Sequence, residues 1–133
     1  VASVIEPALD DGKDVVCERY HDSTLAYQVW GRGMPLDIFD ELARLSSFPV
    51  PDLTILFDIL PENALERVRS RGKLDSFESG GRSFMEKIRE GYLSLSKRDP
   101  ERWLVLECGS LSQEEIFRKM ISSLSSRGIL SDK

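Results

Sequence analysis

The sequence predicts an α/β fold with a mainly parallel sheet, and three observations lead to that prediction. Short apolar runs alternate with longer segments in which apolar residues recur every three to four positions. The clearest run, residues 53–59, is apolar on both faces, which is typical of a parallel strand covered by helices on each side. Helical segments stand between the successive runs, as the crossovers of a parallel sheet require. With 133 residues, the chain has the length of one domain.

Three strands are predicted, over residues 14–20, 53–59 and 103–106. The first has a Val-Val-Cys centre and ends in charged residues, which is typical of a buried strand whose carboxyl end reaches a site. The second lies between Pro51 and Pro61, and the third is the apolar run that begins at Trp103. Because three strands are few for a parallel sheet, we expect strands from outside this chain to complete it.

Helices are predicted wherever apolar residues recur at helical spacing. Pro61 stands at a first turn, where proline is favoured, and Ser112 forms a capping box with Glu115. Asp22 or Ser23 is the expected cap of another helix. The predicted helices cover residues 1–9, 22–30, 35–47, 61–68, 82–98 and 112–124. On the three helices 35–47, 82–98 and 112–124, the side chains predicted to be buried are Leu36, Phe39, Leu42, Ala43 and Leu45, then Phe84, Ile88, Tyr92 and Leu95, and then Ile116, Phe117, Met120, Ile121 and Leu124.

Composition and charge exclude several classes of protein. Asp and Glu number 23 against 18 Lys and Arg, and the net charge of −5 argues against a general nucleic-acid or membrane-surface binder. No apolar stretch approaches the ~20 residues that cross a bilayer. Cys17 and Cys108 are the only cysteines and His21 is the only histidine. Two cysteines are too few for a disulfide scaffold and lack metal-ligand spacing, and a zinc site or a Ser-His-Asp triad would have to be built almost without imidazole.

Polar side chains are concentrated just after the first predicted strand. Ligands of α/β sheets collect at the carboxyl ends of strands, and Arg19 offers there a planar fork of donors suited to a phosphate. The Glu18 carboxylate is a candidate for a magnesium ion. A polar strand end with an ordinary surface ion pair is the alternative explanation. The residues that are candidates for reading a sugar or base are Ser23, Thr24, Tyr27 and Gln28.

A second candidate site is a basic run of four residues. In an acidic chain these charges form a local field that attracts polyphosphate, and phosphoryl transfer relies on positioning and on charge neutralisation. Residues 67–81 lose the apolar period and end in two glycines, so we predict a mobile loop there. A solvated helix C-terminus, which also favours basic residues, is the alternative. The four cations are Arg67, Arg69, Arg71 and Lys73.

Other conspicuous residues receive more ordinary interpretations. His21 is interpreted as a polar neighbour of the site, and Asp58 and Glu107 as structural or supporting carboxylates near strand ends. Trp30 and Trp103 are interpreted as packing residues. The sequence contains neither G-x-G-x-x-G nor G-x-x-x-x-G-K-[ST], so it has no recognisable phosphate-cradling loop of its own.

Six motifs occur along nearly the whole chain. They are I-x-P-A-L-x-x-G-K (residues 5–13), E-R-Y-x-D-S-x-x-A-Y-Q (18–28), G-R-G (31–33), P-D-L-T-I-L-F-D (51–58), A-L-E-R-V-R-S-R-G-K-L-D-S-F-E (64–78) and R-D-P-E-R-W (98–103). In order and spacing, these motifs resemble those of bacterial thymidylate kinases. The strand-end and loop motifs taken together make the resemblance specific.

The resemblance implies a P-loop nucleoside-monophosphate-kinase fold with three layers around a parallel sheet. Residues 1–133 would be a single partial domain whose lid covers approximately residues 67–81. The implied reaction moves the γ-phosphoryl group of ATP, accompanied by Mg²⁺, onto dTMP to give dTDP for dTTP synthesis. The family also implies a homodimer formed by helix packing and a cytoplasmic location. Its implied partners are small-molecule nucleotides, and neither nucleic acid nor membrane is among them.

The same resemblance implies roles for individual residues. Arg19 would grip the phosphate of dTMP, and Arg71 and Arg69 would approach the transferring group. Ser23, Thr24, Tyr27 and Gln28 would lie beside thymine and deoxyribose, with the Tyr27 ring crowding out a 2′-hydroxyl. Glu18 would support Mg²⁺ through water. We expect Arg19 and the lid to converge around nucleotide phosphates. The residues implied for ATP and the lid are Arg67, Arg69, Arg71, Lys73, Gly109 and Ser110.

Three features depart from the family pattern. Glu18 stands where aspartate is usual, and Ser76 stands where a second lid arginine is usual, so that transition-state charge would rest on Arg71, Arg69 or Lys73. The phosphate loop and an early Arg-Pro segment, within ~70–80 residues of βα units, are expected before Val1. We therefore expect the isolated chain to be inactive, because the backbone donors that hold the ATP phosphates lie outside it. We also expect it to be marginally stable, because it lacks the central strand against which its apolar faces would pack.

Two alternative functions stay open at this point. One is a nucleoside or nucleotide kinase that uses a different acceptor. The other is a non-catalytic nucleotide-binding or assembly module that acts without ATP, which the residues at positions 18 and 76 favour.

Overall fold

The computed structural model describes residues 3–70 and 81–130, in which helices surround two parallel strands. Strand β1 (Thr54–Asp58) pairs with β2 (Trp103–Glu107), and the register places Thr54 opposite Trp103 and Asp58 opposite Glu107. The predicted α/β class, the parallel pairing and these two strands are confirmed. The helices are α1 (Ile5–Asp10), α2 (His21–Leu25), α3 (Leu36–Ser46), α4 (Pro61–Ser70), α5 (Gly81–Arg98) and α6 (Gln113–Ser126). A π-helical turn (Ala26–Gly31) continues α2, and a 3₁₀ turn (Pro100–Arg102) precedes β2.

Successive side chains of β2 point to opposite faces of the sheet, so both faces are apolar. Helices cover each of these faces. One apolar cluster lies between the sheet and helices α2, α3 and α5, and the other lies beneath α6. The result is a layer of helices, a layer of strands and a second layer of helices. The buried residues of the first cluster are Leu25, Phe39, Leu95 and Trp103, and those of the second are Leu104, Leu106 and Leu124.

A close approach between Trp30 and Gly91 fixes the spacing of α5 and the π-helical turn. A Cβ atom built on Gly91 would lie 2.9 Å from Cγ of Trp30, closer than real Cβ atoms approach a ring. Glycine at position 91 is therefore what lets the two helical segments touch. The predicted packing role of Trp30 agrees with this contact, and Trp103 is 3% exposed in the core.

The prediction of a strand over residues 14–20 is wrong. This segment has no regular structure, and Val16 is 98% exposed although it lies at the centre of the apolar run. A strand exists through backbone hydrogen bonds to a neighbouring strand. Among the described residues, no backbone bond joins this segment to β1 or β2. Without a pairing partner, this apolar run forms no strand and its centre stays exposed.

Helix boundaries agree with the sequence in some places and differ in others. Helices α5 and α6 begin and end close to the predicted positions, and the capping box between Ser112 and Glu115 is confirmed. Helix α2 begins at His21 after Tyr20, without the predicted side-chain cap. The side chain of Asp22 has other partners, described below. Helix α1 starts at residue 5 instead of residue 1 within the described chain.

The predicted loop over residues 67–81 is wrong for its first part, because α4 continues to Ser70. Arg67 and Arg69 are therefore helical, and residues 71–80, including Arg71, Lys73 and Ser76, lie outside the described residues. The same helical continuation agrees with the alternative interpretation of the basic run, since cations are favoured near a helix C-terminus.

Two predicted apolar faces are only partly buried. Phe39 of α3 is buried, but Leu42 and Leu45 are 52% and 65% exposed, and Phe117 of α6 is 56% exposed. Helical periodicity predicts which residues share a face, whereas burial also needs a packing partner. Within residues 3–70 and 81–130, no helix has the length and apolarity needed to cross a membrane.

Candidate functional site

Arg19 lies at a strained point of the backbone. Its φ angle is +58°, in the left-handed region that side chains other than glycine rarely adopt. The guanidinium carbon lies 5.7 Å from the centre of the Tyr27 ring, within the range of a cation–π contact. The side chain is exposed, which leaves its donors accessible to a ligand. Strained backbone of this kind is concentrated at functional sites.

The strain at Arg19 gives a first testable prediction. Replacing Arg19 with glycine is expected to give a protein about 1 kcal/mol more stable than the alanine variant, because only glycine adopts this φ angle without a Cβ clash. Both variants lack the guanidinium, so the comparison isolates the backbone. Urea unfolding curves measure the difference. Equal midpoints would show that the left-handed conformation is not maintained in solution.

A hydrogen bond from α5 reaches the residues next to Arg19. The Tyr92 hydroxyl donates to Oγ of Ser23 across 2.8 Å. Burial raises the pKa of Tyr92 above its usual value. Ser23 and Tyr27 are four positions apart on one continuous helical segment, which places their side chains on the same side. We call Arg19, Ser23, Tyr27 and Tyr92 the arginine patch.

The arginine patch adjoins the start of α5. The ring of Tyr27 meets the ring of Phe84 edge-on, with centroids 6.1 Å apart, and Phe84 follows residues 71–80 by only a few positions. Of the other residues predicted for this site, Glu18 and Thr24 are exposed and Gln28 is half-buried. The predicted site residues Arg19, Ser23 and Tyr27 therefore lie close together. Their assigned roles stay predictions.

Tyr92 was missed as a site residue because its position fits the apolar stripe of α5. The signal that marks it is its chemistry: a tyrosine on an otherwise apolar face has a hydroxyl that needs a partner when it is buried. The partner, Ser23, is 69 positions away in the chain. Sequence spacing alone does not identify such a pair.

A buried ion pair anchors α2 to the start of both strands. Arg102 donates to both carboxylate oxygens of Asp22, at 2.8 and 3.0 Å, and Thr54 donates to the same carboxylate at 2.9 Å. Asp22 is 5% exposed. Burial by itself would raise the pKa of Asp22, but hydrogen bonding from His21, Arg102 and Thr54, with the charge of Arg102, lowers it far below its usual value. The carboxylate is therefore ionised and held in place.

The remaining conspicuous residues have structural contacts. His21 packs edge-on against Phe39, with ring centroids 5.3 Å apart, and lies 3.8 Å from the Asp22 carboxylate. Asp58 accepts two hydrogen bonds of 2.7 Å from Arg89, which ties the carboxyl end of β1 to α5. Of the two interpretations of Asp58, the structural one agrees with this pair. Glu107, at the end of β2, is exposed.

A second cluster forms at the carboxyl ends of the strands. The guanidinium of Arg67 donates to the carbonyl oxygens of Cys108, Gly109 and Leu111, at 3.3, 3.0 and 3.1 Å. Two residues implied for ATP, Arg67 and Gly109, therefore meet, whereas Arg69 and Ser110 are exposed. An open cavity of about 340 Å³ adjoins this contact. The cavity is lined by Phe57, Ile59, Arg67, Cys108, Gln113, Ile116, Phe117 and Met120.

Comparison of the fold with solved structures identifies the class of protein. A thymidylate kinase from Ehrlichia chaffeensis superposes on 93% of this chain and 57% of its own, with a TM-score of 0.69 and 25% sequence identity. The fold is that of the P-loop nucleoside-monophosphate kinases, as the sequence predicts.

Sequence comparison then narrows the class. The family model described as thymidylate kinase matches residues 1–120. The thymidylate kinase of Chlorobaculum tepidum is 40% identical over 93% of this chain and 62% of its own length. That of Dehalococcoides mccartyi is 45% identical over 90% of this chain and 57% of its own. The chain belongs to the thymidylate kinase family. It spans about 57–62% of the length of these relatives.

Proposed function

We propose that this chain supplies the dTMP-binding side of a thymidylate kinase, which transfers the γ-phosphoryl group of ATP to dTMP and gives dTDP. Membership of the family supports the reaction class. The observation that carries the proposal is the arginine patch, in which an exposed guanidinium, a serine hydroxyl and two phenol rings lie together. This combination suits a nucleoside monophosphate: a cation for its phosphate, and aromatic and hydroxyl groups for its sugar and base.

Different residues of the patch bind different parts of dTMP. Arg19 binds the phosphate of dTMP through its fork of donors, and its contact with the Tyr27 ring limits the directions that the fork can take. Tyr27 also limits the space beside the sugar, which disfavours a ribose 2′-hydroxyl. Ser23, Thr24 and Gln28 offer hydroxyl and amide groups to deoxyribose and thymine.

ATP is proposed to bind at the carboxyl ends of β1 and β2. Arg67 holds the backbone at Cys108 and Gly109 in place, and the neighbouring Ser110 and Arg69 are exposed. Arg71 and Lys73 complete the basic run, and with Arg69 they are proposed to offset charge on the transferring phosphoryl group. Arg71 and Lys73 lie outside the described residues.

Magnesium is proposed to accompany ATP, where it would neutralise phosphate charge. Magnesium in kinases is bound through one or two carboxylates plus substrate phosphates and water. Among the described residues, there is no group of three or more side chains that would hold a metal ion by themselves. The single exposed carboxylate of Glu18 fits the kinase arrangement, in which the nucleotide supplies most of the ligands.

We propose that turnover needs the part of the family's sequence that this chain does not cover. The chain carries no G-x-x-x-x-G-K-[ST] sequence, whose backbone donors cradle ATP phosphates. The complete enzyme is proposed to be a cytoplasmic homodimer, as the family resemblance implies.

The acceptor specificity can be tested by calorimetric titration of the chain with dTMP, dUMP, dCMP and AMP. We expect dTMP to bind most tightly, with a ribonucleotide such as AMP at least tenfold weaker, because a single well-formed contact contributes about this factor. A phosphoryl-transfer assay with ATP and dTMP is expected to give no turnover with the 133-residue chain alone. Equal or tighter binding of AMP would instead indicate a kinase with another acceptor.

A further inference from the structure

The hydroxyl of Tyr92 is in an unusual position for a residue on the packing face of a helix. Its neighbours on that face, Phe84, Ile88 and Leu95, are apolar, and phenylalanine would fill the same space. The tyrosine hydroxyl instead extends past the apolar cluster and donates to Ser23 Oγ at 2.8 Å. This bond joins α5 to α2 at the level of the arginine patch.

The bond to Tyr92 limits the orientations that the Ser23 hydroxyl can take. A serine hydroxyl has one hydrogen to donate and lone pairs that accept. In a helix, this hydrogen commonly turns back to a carbonyl oxygen one turn earlier, which hides it from a ligand. The Tyr92 hydroxyl, 2.8 Å from Ser23 Oγ, takes up one hydrogen-bonding position of the serine and holds it on the protein side. The remaining hydrogen-bonding capacity of Ser23 is then available to a ligand on the side of Arg19 and Tyr27.

Neighbouring charges favour this arrangement. The Asp22 carboxylate, which precedes Ser23 in the chain, would compete for the serine hydrogen, but its oxygens accept hydrogen bonds from Arg102 and Thr54. Arg19 brings positive charge to the patch, so the acceptor that completes it is an anionic or strongly polar oxygen.

We propose that Tyr92 is a positioning residue for the nucleotide: through its bond to Ser23, it holds the Ser23 hydroxyl as a donor to dTMP. This inference rests on the proposed function. It assigns Tyr92 no direct contact with the reacting atoms. Tyr92 acts by fixing the orientation of another side chain, and its effect on dTMP therefore depends on Ser23.

A double-mutant cycle on dTMP binding tests this dependence. Tyr92→Phe and Ser23→Ala are each expected to raise the Kd for dTMP roughly three- to tenfold, the range for one neutral hydrogen bond. The double variant is expected to bind no more weakly than either single variant, because both changes remove the same contact. Calorimetric titration gives the four Kd values. The matched control is Tyr20→Phe, since the Tyr20 hydroxyl is buried without a hydrogen-bond partner among the described residues.

The outcomes separate this inference from the proposed function. If Tyr92→Phe leaves the Kd unchanged, or weakens binding as much in the Ser23→Ala background as in the wild type, Tyr92 has only a packing role and the inference is wrong. If wild-type protein binds no dTMP, the proposed function fails and the inference fails with it. Ser23→Ala provides the same test from the other side of the bond should Tyr92→Phe unfold the protein.

Discussion

Replacing Arg19 with alanine is expected to weaken dTMP binding about a hundredfold. The change removes a charged fork of donors from the arginine patch, and hydrogen bonds between ionised groups contribute about 1.5–3 kcal/mol. Two such contacts to one phosphate account for a factor of this size. Because the side chain is exposed and touches only the Tyr27 ring among the contacts described, the fold does not depend on the guanidinium. Calorimetric titration with dTMP measures the effect.

Two further variants make the Arg19 result specific. Arg19→Lys keeps the charge but loses the planar fork, so we expect an intermediate loss of about tenfold. Arg44→Ala removes an exposed arginine whose partner is Glu41 on its own helix, and dTMP binding should stay unchanged. An equal loss in the Arg44 and Arg19 variants would mean that general positive charge, and not the arginine patch, attracts the nucleotide.

Replacing Arg102 with methionine is expected to lower the free energy of unfolding by about 3–5 kcal/mol. The substitution leaves the Asp22 carboxylate buried without its cation, and breaking a buried pair from one side carries a cost of this size. Chemical denaturation at neutral pH measures it. The double variant Arg102→Met with Asp22→Asn is expected to recover most of the loss, because no unpaired charge is then buried. Arg118→Met, which removes an exposed partner of Glu114, is the control that should change little.

The pH dependence gives the Arg102 experiment a second measurement. In the wild type, the pKa of Asp22 is lowered in the folded state, so its contribution to stability is present above its unfolded pKa of about 4 and is lost as the pH falls below that value. In the Arg102 variant, burial raises the pKa of the same group, and protonation then relieves the destabilisation. The difference between the two proteins should shrink on acidification. A constant difference would indicate that Arg102 stabilises the fold by packing alone.

Local sequence patterns predicted those features that are determined locally. The apolar run around Leu56 predicted a parallel strand, since a strand covered on both faces has apolar residues at successive positions. Ser112 and Glu115 predicted the start of α6 because a capping box is completed within four residues. The same reasoning located Arg19 and Tyr27, which lie on one short segment.

The remaining features depend on contacts between distant parts of the chain. Asp22 or Ser23 was predicted to cap the helix that follows, but the carboxylate of Asp22 binds Arg102, 80 positions away. Residues 14–20 have the composition of a strand, yet pairing depends on a neighbour that local composition does not specify. The Arg67 side chain likewise contacts backbone oxygens beyond β2, more than 40 positions away, which local sequence does not specify. The residue pattern determines which secondary structures a segment can adopt. Contacts with distant parts of the chain then determine which of them forms.

The contact between Trp30 and Gly91 restricts how this protein can diverge. Any methyl group at position 91 would overlap the indole, so alanine is excluded there while the tryptophan remains. A smaller side chain at position 30 would first have to open the space. Substitutions at these two positions are therefore expected in a fixed order: Trp30 is replaced by a smaller residue before Gly91 is replaced by a larger one.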